Sequence, residues 1–217
     1  MPVKIIACEV MKEELLAVKA ACETSFDFIS MGLHLRPEKL KVRLQEEIEK
    51  TSGFSRIVMG FGLCGGTMKD IKAGNIRLTV PRVHDCLPVL TGCADIYKNK
   101  SERVTGTFFT SGGWMEGERS FPGEYRRICT RYGPQKALGV MKTMLDSYSR
   151  FMYIRTGHPR EESSLRESLN LSAMLGLTHD IRTGNPDFLK RIVNGPWEDS
   201  EFINIDPGCS IIEDNFF

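Results

Sequence analysis

Short β-branched runs alternate with helix-like runs through the first half of the chain, and nothing else in the sequence limits the fold as tightly. Val3 to Ala7 is an apolar run ending at Cys8. A helix is predicted from about Lys12 to Cys22 and a second strand from Phe26 to Met31. Pro37 suits the first position of a helix that carries Leu40, Leu44 and Ile48 on one face and stops at Gly53. Arg56 to Gly60, Ile76 to Val80 and Val104 to Thr110 read as three further strands. Alternation of this kind implies parallel strands joined by crossover helices. The expected fold class is therefore α/β: a Rossmann-like, mostly parallel sheet with helices on both faces, occupying residues 1–115 and carrying the site. Residues 115–133 are rich in Gly, Pro and charge, have no period, and read as an irregular loop. Beyond them come a helix from Pro134 to about Tyr148, strand-like Phe151 to Arg155, a helix from Glu161 to Leu175, strand-like Thr178 to Arg182, a helix from Pro186 to Val193 and a last strand from Phe202 to Ile205. Residues 116–217 are expected to form a second, smaller α/β lobe or added layers on the first sheet. Ile154-Arg155-Thr156-Gly157 and Ile181-Arg182-Thr183-Gly184 echo one another, which is too short to claim a repeat.

Charge removes some classes of function. The 29 Lys and Arg against 28 Asp and Glu leave a net charge of +1, which gives no bulk attraction for nucleic acid or an anionic membrane surface. No apolar run approaches the roughly 20 residues that span a bilayer. The first residues run straight into a strand and lack the pattern of a signal peptide, so the expected location is the cytoplasm. Seven cysteines, an odd number, are then not a disulfide framework but packing residues, metal ligands or nucleophiles.

Three cysteines follow strands. Cys8 follows the first, Cys64 the third in Gly60-Phe61-Gly62-Leu63-Cys64-Gly65-Gly66-Thr67, and Cys86 the fourth in Pro81-Arg82-Val83-His84-Asp85-Cys86. In a parallel sheet all three lie at one edge, beside His84, and ligands of such sheets bind beyond the carboxyl ends of the strands. Three soft thiolates and an imidazole suit tetrahedral zinc or an iron–sulfur cluster. The spacing is less specific than a CxxC pair, but residues i and i+2 of an extended segment point the same way, so His84 and Cys86 would reach one ion. Against this, a strand-end cysteine is as often a small buried hydrophobe. Glycines at 62, 65 and 66 make a loop where backbone can approach a ligand, and with Thr67 they resemble a nest of N–H groups opening a short helix to Ala73. Gly62, Gly65, Gly66 and Thr67 are therefore candidate cofactor-binding residues. Gly113 and Trp114, after the fifth strand, join them as a loop able to close on a planar ligand or, equally well, as a packing anchor. The catalytic candidates are Glu9 as base or supporting acceptor, Arg82 as partner of an anionic ligand, and Asp85, pointing away from the ion to hold another group in place. Each has a plainer use as a structural ion pair or helix-end charge. Cys209 and His34 are weaker candidates for the same edge; Cys22 and Cys93 read as packing residues, and His158 and His179 as ordinary surface or core residues.

Ile6-Ala7-Cys8-Glu9-Val10, Leu33-His34, Gly62-Leu63-Cys64-Gly65, Pro81-Arg82-Val83-His84-Asp85-Cys86, Gly106-Thr107-Phe108-Phe109-Thr110 and Gly113-Trp114 together resemble the family called domain of unknown function 1638, in order over most of the chain. Gly66 departs from the family pattern, in which a polar residue often follows the first glycine. The resemblance implies anaerobic bacteria or methanogenic archaea, and genes near corrinoid-dependent methyltransferases of one-carbon metabolism. It supplies no biochemical activity.

Three functions compete. In the first, zinc on Cys8, Cys64, Cys86 and His84 serves methyl transfer to or from a corrinoid, as a methyltransferase-type enzyme. In the second, the same site belongs to a non-catalytic carrier or accessory protein for a metal or corrinoid, or an iron–sulfur protein, with a corrinoid protein or methyltransferase as partner. In the third, Cys64 is a metal-free nucleophile with His84 as base and Gly65-Gly66 as oxyanion hole. The third ranks last because it leaves Cys8 and Cys86 without a role.

Overall fold

In the computed structural model, which describes residues 2–92, 96, 105–116 and 119–216, the β-branched runs become two sheets. β1 (Val3–Cys8), β2 (Thr24–Ile29), β3 (Arg56–Gly60) and β4 (Arg77–Pro81) are parallel neighbours, and β8 (Phe202–Ile205) adds an antiparallel edge, giving the order β2-β1-β3-β4-β8. β5 (Thr107–Ser111), β6 (Arg150–Arg155) and β7 (Thr178–Thr183) form a separate parallel sheet in that order. This is the expected mixed α/β, Rossmann-like class.

Local chemistry explains the helices. α1 (Lys12–Ala17) is short, and a single 3-10 turn, Glu9–Met11, precedes it. α2 (Pro37–Lys50) starts on its proline and buries Leu40, Leu44 and Ile48, one stripe at helical spacing. α3 (Cys86–Thr91) is capped by Asp85, whose carboxylate accepts the Leu87 N–H, and it ends at Gly92 with φ 65°. The chain moves from β1 outward to β2 and then back across β1 to β3. Two right-handed crossovers in opposite directions put α1 and α2 on opposite faces.

The chain divides into two units, Met1–Ala94 with Pro186–Phe217, and Asp95–Asn185. The alternation of runs places the fifth strand in the first sheet, with a boundary at 115. In the structure β8 returns to pair with β4, so that edge is taken, and β5 pairs with β6 instead. The stretch 115–133 is also more regular than expected. α4 (Gly112–Met115) is followed by α5 (Phe121–Tyr132), whose N-cap Ser120 accepts the Gly123 N–H at 3.0 Å. Pro122 and Gly123 fall in the first turn, where neither costs a helix much, so their presence is no evidence for a loop. In the second unit α6 (Pro134–Met144) and α5 pack Ala137, Met141 and Ile128 against Phe151 of β6. α7 (Glu161–Leu175) follows β6, and α8 (Asp187–Asn194) belongs to the first unit, where it packs against α1 and α3. The echoed Ile-Arg-Thr-Gly segments run off the ends of the neighbouring strands β6 and β7.

Candidate functional site

Strand order decides where a ligand can enter the first sheet. Crossovers leave β1 toward β2 on one side and reach β3 on the other, so the crevice lies beyond the carboxyl ends of β1 and β3. Cys8 is the last residue of β1, Cys64 follows β3, and Cys86 opens α3 after β4. Two loops are stitched together here: the Leu63 N–H donates to Val83 O at 3.0 Å and the Cys64 N–H to His84 O at 2.9 Å. Gly62 makes that possible. A Cβ at position 62 would stand 2.6 Å from Val83 O and 2.8 Å from Asp85 N, both backbone atoms that cannot swing away. Gly60 performs the same service one strand over, where a Cβ would come within 2.5 Å of the Ala7 Cβ.

The loop itself is bent. Cys64 has φ 48°, a left-handed conformation that a residue with a Cβ seldom adopts, and Gly65 and Gly66 follow at 68° and 89°. The predicted helix from Thr67 to Ala73 does not form; a run of turns takes its place. The Gly66 N–H donates to Leu63 O at 3.1 Å, and the Thr67 N–H and hydroxyl both donate to Cys64 O, at 3.4 and 3.0 Å. Those donors are spent holding the turn, not held open as a nest.

Burial dominates the electrostatics of the thiols. Cys8 is pushed up to about 12 by desolvation, against a backbone N–H from Val10, with the Cys64 charge and then Glu9 adding to the rise. Cys64 is likewise pushed up to about 12, by burial first, against the Gly62 N–H, with Asp85 adding to the rise. Cys86 is raised well above the ordinary range, by burial and then by the charges of Cys64, Cys8 and Asp85. Cys8 thus responds to Cys64, and Cys86 to both. Among the described residues, however, no three His, Cys, Asp or Glu side chains stand together as a ready ligand cluster. Charge acts across several ångströms, whereas zinc–sulfur bonds are about 2.3 Å. The three sulfurs share a neighbourhood and not, in this arrangement, a coordination sphere. Their chemistry still suits a soft dication: buried thiols, mutually repelling as thiolates, gain most from a cation placed among them.

The other candidates are placed as follows. The His84 side chain is 58% exposed, with Nδ1 3.6 Å from Asp85 Oδ2. Asp85, between His84 and Cys86, is extended at φ -156° and ψ -165°, and helix α3 begins at Cys86. Asp85 caps α3. Glu9 Oε1 accepts from the Met31 N–H at 2.7 Å and the Ser30 hydroxyl at 2.9 Å, tying the end of β2 to the crevice. Beside it the His34 ring stacks on Phe61 with centroids 6.1 Å apart, and burial lowers its pKa. The Arg82 guanidinium is bonded to the backbone carbonyls of Asp199 and Asn215. Cys209 lies past the end of antiparallel β8, and its carbonyl accepts from Ala73 before β4, which is the opposite edge of the sheet. Cys22 precedes β2, Cys129 packs in the second unit on α5, and Cys93 lies outside the described residues. Gly113 and Trp114 stand on α4 of the second unit.

Sequence reasoning passed over a polar cluster in that second unit. His158, set aside as ordinary, is 4% exposed and presses on Gly112, where a Cβ would lie 2.3 Å from its ring. Its Nδ1 accepts the Arg160 N–H at 3.2 Å, which leaves the proton on Nε2, 3.6 Å from Glu116 Oε1. His158 Nε2, Glu116 Oε1 and the Ser111 hydroxyl are all buried without a hydrogen-bond partner among the described residues. The signal in the sequence was Ser111-Gly112-Gly113 directly after a strand; its partner at 158 is set by tertiary contact alone.

The family model described as a protein of unknown function, DUF1638, matches residues 28–193, a span that takes in Cys64 and Cys86 and begins after Cys8. No curated protein and no solved structure matches the chain.

Proposed function

The chain belongs to the DUF1638 family, and we propose that this member is a thiolate metal-binding protein in which Cys8, Cys64 and Cys86 hold zinc, working in or beside corrinoid-dependent methyl transfer. The observation that carries the reading is the convergence of three thiols from three neighbouring strand ends at the crevice where such sheets take ligands, close enough that Cys64 bears on Cys8 and both bear on Cys86. A bound dication would keep coordinated sulfur as thiolate at neutral pH, the nucleophilic form. The chain's own residues prepare for it. The left-handed turn at Cys64 holds its sulfur off the strand axis, Gly62 lets the two loops touch, and Glu9 fixes the neighbouring rim. His84, exposed and two residues before Cys86, is the proposed fourth donor. Iron in place of zinc is the variant of the same reading, and a corrinoid protein or methyltransferase is the proposed partner, in a catalytic or a carrier role.

The test is metal content after anaerobic purification without chelator. One zinc per chain is expected, falling sharply in Cys64→Ala and in Cys86→Ala and unchanged in Cys22→Ala. Equal metal in all four proteins, or none in any, overturns the assignment; iron with sulfide would select the cluster instead. One observation favours a second reading, a metal-free nucleophile at Cys64: its φ of 48° sits on a sharp turn after a strand, as in a nucleophile elbow. Its thiol pKa of about 12 opposes that role, since very little thiolate exists at neutral pH.

A further inference from the structure

The amino edge of the first sheet, opposite the thiols, carries a different chemistry. β1, β3 and β4 start in register, Val3 beside Arg56 and Arg56 beside Arg77. Two arginines therefore open adjacent strands on one face. With Ser55, Asn194 and Trp197 they line a cleft of about 550 Å³, and no Asp or Glu is among its lining residues.

Arg56 is held in place entirely by neutral groups. Its Nη1 donates to the Thr79 hydroxyl and to Asn204 Oδ1 at 2.7 Å, and the guanidinium lies 4.9 Å over the Trp197 ring. Those partners are themselves fixed: the Thr79 hydroxyl donates to Asn204 Oδ1 at 2.8 Å, Asn204 Nδ2 to Trp197 O at 3.0 Å, and Trp197 Nε1 to Ile192 O at 3.2 Å. Asp199, which accepts from Asn204, is the acid in this network, one bond removed from Arg56 and exposed. Burial lowers the Arg56 pKa, and the nearby charge that adds to the fall is another cation, Arg77. Arg77 has a carboxylate partner, Asp206 Oδ1 at 2.6 Å, in a pair about half exposed on both sides. Such a pair exchanges partners at little cost.

A partly buried guanidinium held only by neutral groups has no counter-charge, and five donors in a planar fork match the oxygens of phosphate or carboxylate. We propose that this cleft is a second ligand site, which takes a small oxyanion, free or as the anionic end of a larger metabolite, between Arg56 and Arg77. Arg56 is the fixed, preorganised half of the clamp. Arg77 is the movable half, turning from Asp206 to the ligand. The site is independent of the thiol crevice and stands whether or not that crevice holds metal.

The chain has two tryptophans, so Trp114→Phe leaves Trp197, under Arg56, as the single indole reporter. The experiment titrates that protein with phosphate and separately with citrate, against sodium chloride at matched ionic strength. A saturable change in Trp197 emission beyond the chloride control is expected for at least one of them. Response to phosphate alone identifies a phosphoryl ligand, and response to citrate alone a carboxylate. Losing one charge-assisted contact is worth tenfold or more, so Arg77→Ser should weaken binding by about that factor, and Arg56→Met should abolish it. Arg77 is exposed, so its variant reads out even if Arg56→Met fails to fold. No saturable change with either anion, or binding that Arg77→Ser leaves intact, overturns the proposal.

Discussion

Cys64 concentrates the account at the scale of single residues. It adopts a backbone conformation that ordinarily selects glycine, between Gly62, which cannot carry a Cβ, and Gly65, which has the same positive φ. Gly62→Ala should drive the Phe61–Cys64 strand extension off the Val83–Asp85 backbone, at about 1–3 kcal/mol in urea unfolding; an unchanged midpoint would mean that the loops do not touch. The thiols make a sharper prediction. With pKa values raised from 9.0 to about 12, the metal-free protein holds about a thousandth of the usual thiolate at Cys8 and Cys64 at pH 8. Iodoacetamide, followed by mass spectrometry, should modify exposed Cys209 first and spare Cys8, Cys64 and Cys86. The sign of the linkage follows. A thiol with a raised folded pKa binds its proton more tightly than the unfolded chain does, so its contribution is complete below pH 9 and is lost as pH rises toward 12. Stability of the metal-free protein should therefore fall between pH 9 and 12, and replacement of Cys8 by Ser should leave a shallower fall. A slope unaffected by that change would contradict the burial argument.

At the scale of elements, the strands were legible because their signal is local. β1, β3, α2, α7 and β8 are where β-branched alternation or a helical stripe puts them, and parallel pairing at once gives the shared edge of Cys8, Cys64 and Cys86. The direction of β8 was not legible. Nothing in Phe202 to Ile205 distinguishes a parallel from an antiparallel neighbour, yet that direction sends Cys209 to the far edge. α5 was hidden because Pro122 and Gly123 sit in its first turn, where they are compatible with a helix start and do not mark a break. The local conformation around His84 was legible in part: Asp85 is extended between His84 and Cys86, but the start of α3 at Cys86 was not foreseen. The Ser111, Glu116 and His158 cluster was invisible because its members meet only through the packing of β5, α4 and the segment after β6. The buried Ser111 hydroxyl has no hydrogen-bond partner among the described residues, so Ser111→Ala should keep or slightly raise Tm. A clear drop in Tm would reveal a bound group there.

For the molecule as a whole, the first unit uses the two ends of one sheet differently. Its carboxyl edge gathers three thiols, for which a cation is the proposed ligand, and its amino edge presents a fixed arginine held by neutral groups, for which an anion is proposed. The order β2-β1-β3-β4 makes the first a crevice, and the in-register starts of β1, β3 and β4 make the second a cleft. Cobalt(II) titration of the chelator-treated protein reads the gathering of sulfur most directly, because thiolate-to-metal charge transfer grows with each sulfur bound. The account predicts a band that saturates at one cobalt per chain, with the intensity of three thiolates, and that loses about a third of it in each of Cys8→Ser, Cys64→Ser and Cys86→Ser. A spectrum without thiolate charge transfer, or one that these three variants leave unchanged, would contradict it.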